Sequence, residues 1–279
     1  MPRPANFFRT LAGVSVRYDR SPEPGLGYGT AGQSWKFHCT TAFNTKLRQC
    51  FQELWDVCPL GQANLILSAG TYVDKPGAHG LGRAFDLDGI LWNGKTFMTL
   101  GYPHDTRFYL GVEAILRKHF GTVLNYLYDP AHHDHLHVED LSPVGYNPAH
   151  RSRVLYLQMV LTHLFGLPVS MDGLTGPQTN GAARELMIDF GFASAAEVNT
   201  TAKLHNRLDQ DWTSLMDECA AEGFADIGPL LETPLDLLQA IYAVLDQQLG
   251  DAATRKPIES AVTTFANHSD TDEFLDTYR

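Results

Sequence analysis

A chain of 279 residues that is 44% hydrophobic and 19% charged carries apolar material for about two ordinary domains and too much of it for a disordered protein. Its 21 Lys and Arg against 32 Asp and Glu leave a net charge of −11, which excludes the basic footprint of a general nucleic-acid binder. No apolar run approaches the ~18 residues of a membrane span, and residues 1–20 hold no apolar segment of the ~7–15 residues a secretory signal requires.

In chain order, residues 1–35 are rich in Pro and Gly (Pro22, Pro24, Gly25, Gly27, Gly29, Gly32) and read as an N-terminal arm or surface loops. Thr40 or Thr41 can cap a first helix. Along it Phe43, Leu47, Cys50, Phe51, Leu54 and Val57 or Cys58 repeat at the spacing of one helical face, and Pro59-Leu60-Gly61 ends it. Residues 65–68 read as a strand. A second strand, 84–92, turns at Asn93-Gly94, where both residues accept positive φ, and returns through Thr96-Phe97-Met98. Phe108, Val112, Ile115, Leu116 and His119 mark a second helix. Strands at 123–127 and 135–139 complete an α+β domain, residues 36–147, with a small and mainly antiparallel sheet.

After Pro143 the pattern turns helical. Residues 151–165 are apolar at helical spacing (Val154, Leu157, Leu161, Leu164), a turn-rich link covers 167–176, and Pro177 stands where a helix would begin. Ser194-Ala195-Ala196-Glu197 has the form of a capping box, and Thr233-Pro234 places a cap before a first-turn proline. The expectation is an all-α C-terminal part with no strand beyond about 148: a helical domain over 148–193 and a helical region over 194–279 with no assigned role. Among the four cysteines no C-x-x-C pair occurs, which argues against a finger-type thiolate site; Cys50 reads as a buried hydrophobe, and a Cys39–Cys58 pairing is left open.

Two short segments concentrate the chemistry: Gly77-Ala78-His79-Gly80-Leu81-Gly82-Arg83-Ala84-Phe85-Asp86 and His132-His133-Asp134-His135-Leu136-His137-Val138-Glu139. A catalytic zinc site needs three N/O ligands and one open position, and His79, Asp86 and His137 supply that set. The glycines around His79 allow its loop to fold back toward the strand that carries Asp86. Along the second segment, side chains at 135, 137 and 139 share a strand face, so one imidazole can bind the metal while the next handles protons; Asp134 and Leu136 would face the other way. His132 and His133 read as loop residues near the site. Asp88 shares a face with Asp86 and fits a supporting role.

The pattern H-x-x-G-x-A-x-D followed by H-x-H resembles zinc peptidases of the D-alanyl-D-alanine metallopeptidase, lysostaphin and hedgehog type, and over residues 39–139 it is most similar to the bacterial extensin-like C-terminal domain. The resemblance implies Zn2+ held by His79, Asp86 and His137, and hydrolysis of an amide bond in the peptide part of peptidoglycan. It also implies action in the cell envelope or outside the cell. Two positions depart from the family. Gly77 replaces a common serine, and Asp134 stands where the carboxypeptidase branch has a glutamate base. His135 is therefore the expected proton-handling group, with Asp134 second. Only Lys75 offers a charge at 70–75, where carboxypeptidases carry an arginine for the substrate carboxylate, so an endopeptidase is favoured. Tyr72, Arg83 and His133 are candidate substrate contacts; for Tyr72 and Arg83 the plainer roles are strand packing and a surface charge.

Residues 151–192 are similar to three-helix peptidoglycan-binding domains. The likeness is carried by Val154-Leu155-Tyr156-Leu157-Gln158-Met159-Val160-Leu161, the Asp172-Gly173 turn and the Gly176-Pro177-Gln178-Thr179 helix start. The expected partner is thus peptidoglycan or a peptide substrate, with no nucleic acid and no transmembrane segment. The rival expectation is a non-catalytic module that keeps zinc for stability and binds cell wall or protein.

Overall fold

Strands form where an arm is expected. The computed structural model describes residues 2–19 and 33–227. It begins with β1 (Phe7–Phe8), β2 (Thr10–Leu11) and β3 (Val14–Tyr18), followed by β4 (Gln33–Ser34) and β5 (Phe37–His38). In β3, Val14 and Val16 are buried while Ser15 and Arg17 are exposed, which is the period of a half-buried strand, and Phe8 and Leu11 are the buried residues of β1 and β2. Those segments are short, and the Pro- and Gly-rich stretch after them lowers the average that the arm reading rested on.

The chain continues through α1 (Thr41–Val57), β6 (Leu65–Gly70), β7 (Ala84–Trp92), β8 (Lys95–Met98), α2 (Thr106–His119), β9 (Thr122–Leu124) and β10 (Leu136–Glu139). Thr40 Oγ1 accepts from the Phe43 amide at 3.2 Å and so caps α1. The main sheet runs β2-β3-β6-β7-β10-β9, with β4 on β3 and β8 on β7. Every pair is antiparallel except β3–β6. The Asn93-Gly94 hairpin joins β7 to β8 as expected. Helices and an antiparallel sheet together make the α+β class.

Four helices follow: α3 (Arg151–His163), α4 (Pro177–Asp189), α5 (Thr201–Gln210) and α6 (Trp212–Phe224), and among the described residues no strand comes after Glu139. The expected boundaries at 147/148 and 193/194 fall inside one compact unit. Residues 1–227 form one compact unit whose apolar core runs from Phe8 to Phe224. Arg153, buried on α3, explains why the stretch at 143–151 is no loose linker. Its guanidinium donates to the carbonyls of Gly121 (2.9 Å), Gly145 (2.7 Å) and Pro143 (2.6 Å) and to Ser142 Oγ (3.1 Å). The helices α2 and α6 also cross in van der Waals contact. A Cβ on Gly223 would lie 2.5 Å from Gly111 Cα, so side-chain-free positions on both helices permit the approach.

In the helical part, Gln158 Nε2 donates to Asp172 Oδ1 (2.9 Å), the Leu174 carbonyl (2.9 Å) and Thr179 Oγ1 (3.1 Å), and its Oε1 accepts from the Gly173 amide (2.8 Å). The Asp-Gly turn and the Gly-Pro-x-Thr helix start are therefore tied to α3 by one buried side chain. Glu197 Oε2 accepts from the Ser194 amide and from its hydroxyl, in a turn rather than at a helix start; the next helix is capped by Thr200. Thr233-Pro234 lies outside the described residues. All four cysteines are free and buried, so the Cys39–Cys58 pairing does not form.

Candidate metal centre

The strand register brings the two chemical segments together. On β10 and β7, His137 pairs with Asp86, and Asp86 pairs on its other side with Gly70 at the end of β6. The β6–β7 register is irregular at this end, between Ser68 and Gly70, where a bulge opens the sheet edge to the loop that returns at His79. That loop is tight: a Cβ on Gly80 would fall 1.7 Å from the Lys75 carbonyl oxygen, so only glycine fits there.

His79, Asp86 and His137 converge so that one ligand atom from each lies within 4.8 Å of the others, a grouping that could hold a metal ion. His79 Nε2 is 3.2 Å from His137 Nδ1 and 3.3 Å from Asp86 Oδ2; His137 Nδ1 is 2.8 Å from Asp86 Oδ1. Both imidazoles are buried. The outer nitrogen of each ring is held by an acceptor. His79 Nδ1 donates to the Thr71 carbonyl, and His137 Nε2 faces Glu139 Oε2 at 3.5 Å. Such partners fix the tautomer and aim the remaining lone pair inward. In neutral His79 the inward Nε2 then bears no hydrogen and faces a carboxylate oxygen. Two acceptors at that distance repel unless a proton or a cation lies between them.

The electrostatics follow from this packing. Burial raises the Asp86 pKa, but the hydrogen bond with His137 and the nearness of the His79 ring outweigh it and hold the carboxyl well below the usual carboxylate range. Burial lowers the His137 pKa, yet Asp86 and Glu139 carry it up to about 9. Glu139 is lowered chiefly by its bond to His137.

His135 stands beside the ligands. Its Nε2 lies 3.6 Å from Asp86 Oδ1, and its Nδ1 is 2.8 Å from Asp134 Oδ1. Asp134 was expected to face away, as in a regular strand. Because β10 begins only at Leu136, that periodicity does not reach residues 134 and 135, and the carboxylate folds back onto the imidazole. Thr99 Oγ1 holds this turn by donating to the Asp134 carbonyl at 2.7 Å.

Of the candidate substrate contacts, His133 stacks on Tyr126 at 4.6 Å, while its neighbour His132 turns toward the site, with ring centroids 5.1 Å from His135 and 5.9 Å from His137. Arg83 is bound to Asp140, through Nε at 2.7 Å and through Nη2 to the carbonyl at 2.6 Å. Tyr72 is half-buried and hydrogen-bonds with Asp74. Asp88 is fully buried on β7, the strand that carries Asp86. Sequence reasoning did not assign roles to Thr71 and Glu139. Glu139 shares a face with His137, two residues away, and that spacing was its available signal; Thr71 acts through its backbone and leaves none.

Comparison with protein families, with curated proteins and with solved structures finds no match for this chain in any of the three.

Proposed function

We propose that this chain is a zinc-dependent peptidoglycan hydrolase that cleaves an amide bond in the peptide part of the cell wall, as an endopeptidase rather than a D-Ala-D-Ala carboxypeptidase. The observation that carries the reading is the His79, Asp86, His137 triangle. Two of its edges, 3.2 and 3.3 Å, match the edge of about 3.3 Å of a tetrahedron with ligand bonds of ~2.0–2.1 Å, and the donor set of two imidazoles and one carboxylate is one zinc accepts. Three protein ligands leave a fourth position for chemistry. A zinc ion held by His79, Asp86 and His137 would supply Lewis-acid polarisation of a carbonyl and activation of a water molecule.

The chain's own groups do the rest. The Thr71 carbonyl and Glu139 keep the two imidazoles in their ligand orientation. His135 Nε2, turned toward Asp86, takes the proton of the attacking water and returns it to the leaving amine nitrogen. Asp134 positions His135 by accepting at Nδ1, which keeps Nε2 free for the proton and stabilises the imidazolium that forms. The helical part, whose Gln158-centred turn carries the likeness to wall-binding domains, holds the catalytic part on its substrate in this reading.

The test is mass spectrometry of purified peptidoglycan fragments incubated with the protein, with and without a chelator. New peptide ends that vanish with the chelator are expected. Fragments unchanged by zinc-loaded protein would overturn the proposal.

A further inference from the structure

A cleft of about 1020 Å³ lies beside the metal centre, between the N-terminal strands and the end of β6, and it differs in charge from the rest of the chain. Arg3, Arg9 and Lys36 line it, whereas the chain as a whole carries −11. Among the described residues its one lining carboxylate, Asp74, is engaged with Tyr72. Arg9 and Lys36 rest on the Phe7 ring, with Cζ and Nζ 5.9 and 4.9 Å from its centroid. Trp35, 52% exposed, leans on Tyr18 at 5.4 Å and offers an open aromatic face on the cleft wall.

The cleft meets the metal centre through β6. Gly70 and Thr71 belong to its lining; Gly70 is the strand partner of Asp86, and the Thr71 carbonyl binds His79 Nδ1. None of the three ligands lines the cleft, so it flanks the reacting position, one imidazole ring away. These cations come from residues 3, 9 and 36 and settle against 70–74, the stretch where the sequence offered Lys75 alone.

We infer that this cleft binds a carboxylate of an acidic peptide substrate, with Arg9 and Lys36 holding the charge and Trp35 covering the adjoining aliphatic or sugar portion. The inference rests on the hydrolase reading for the placement of the scissile bond. A cation pair gives charge-assisted hydrogen bonds to a carboxylate that an amide cannot replace. Peptides of the wall offer two sources, a side-chain carboxylate and the C-terminal one.

Calorimetry on the full chain, with a chelator present to stop turnover, tests this with three probes: a disaccharide tetrapeptide from peptidoglycan, the same fragment amidated at its C-terminus, and the same fragment amidated on its side-chain carboxylates. Wild type is expected to bind the first, and the Arg9→Glu/Lys36→Glu variant to lose about tenfold or more. Whichever amidation causes the same loss identifies the carboxylate. Lys36→Glu alone and Trp35→Ala, both at exposed positions, should each weaken binding while leaving the circular dichroism spectrum unchanged. Equal affinity for all three probes, no binding of the first, or no effect of charge reversal would overturn the inference. With zinc restored, cleavage at the wild-type rate by the double variant removes the cleft and leaves the hydrolase. Carboxylate binding lost on charge reversal, in a wild type that never cleaves, leaves the cleft and removes the hydrolase.

Discussion

His137 Nδ1 and Asp86 Oδ1 lie 2.8 Å apart because their residues are direct partners in the β10–β7 register. A ligand pair separated by half a hundred positions in sequence is thus set by the antiparallel sheet rather than by a loop, and one residue of slip would turn His137 to the opposite face. The third ligand depends on the His79 loop, which the Thr71 carbonyl holds to the end of β6.

Glu139 holds the outer nitrogen of His137 and is the most informative position outside the ligand set. Glu139→Gln should keep the fold and lower zinc affinity by about 10–100-fold. Competition with a chromophoric chelator measures this; unchanged affinity would show that Glu139 does not support the ligand.

His135→Ala and Asp134→Asn separate catalysis from binding. Both should retain zinc at wild-type stoichiometry. Turnover should fall by about 10²–10⁴ for His135→Ala, the range for loss of a positioned proton-transfer group, and by less for Asp134→Asn. Retained zinc and retained wall binding in a wild type without turnover would favour the non-catalytic module instead.

The crossing of α2 and α6 allows a stability test remote from the metal. Gly223→Ala places a Cβ 2.5 Å from Gly111 Cα, against backbone that cannot swing aside. A loss of about 1–3 kcal/mol is expected in denaturant unfolding, without change in zinc content. A neutral variant would mean that the helices separate readily there.

Acid should weaken the contact between α1 and α2. Burial raises the Glu53 pKa, but hydrogen bonds from Lys118 and His119 prevail and lower it from 4.5. A carboxylate depressed in the folded state contributes stability that is complete above its unfolded value and is lost as pH falls through the folded one. The melting-temperature gap between wild type and Glu53→Gln should therefore be largest above pH 4.5 and close progressively below it. A gap that widens with acid would contradict the assignment.

How much could be read beforehand differs by element. The apolar face of α1, the Asn93-Gly94 hairpin and the Pro177 helix start are local patterns, and each appears where its pattern lies. The grouping of His79, Asp86 and His137 was also legible, because both segments combine glycine or histidine spacing with a following strand. The early strands were not, since four of the five are two residues long and carry no period, and the fifth, Val14–Tyr18, stands next to the Pro- and Gly-rich stretch. The unity of residues 1–227 was hidden as well. It depends on Arg153 tying Gly121 to Ser142, Pro143 and Gly145 at the start of the supposed linker and on the paired glycines of α2 and α6, contacts that sequence spacing does not encode. The pairing of Asp134 with His135 was missed because strand alternation was carried one turn too far toward the N-terminus.

Elemental analysis of the purified chain, after zinc is supplied and excess removed, bears most directly on the metal centre. About one zinc per chain is predicted for wild type and for His135→Ala, and close to none for His79→Ala and His137→Ala. A folded wild-type chain that stays metal-free, or ligand variants that keep their zinc, would contradict it.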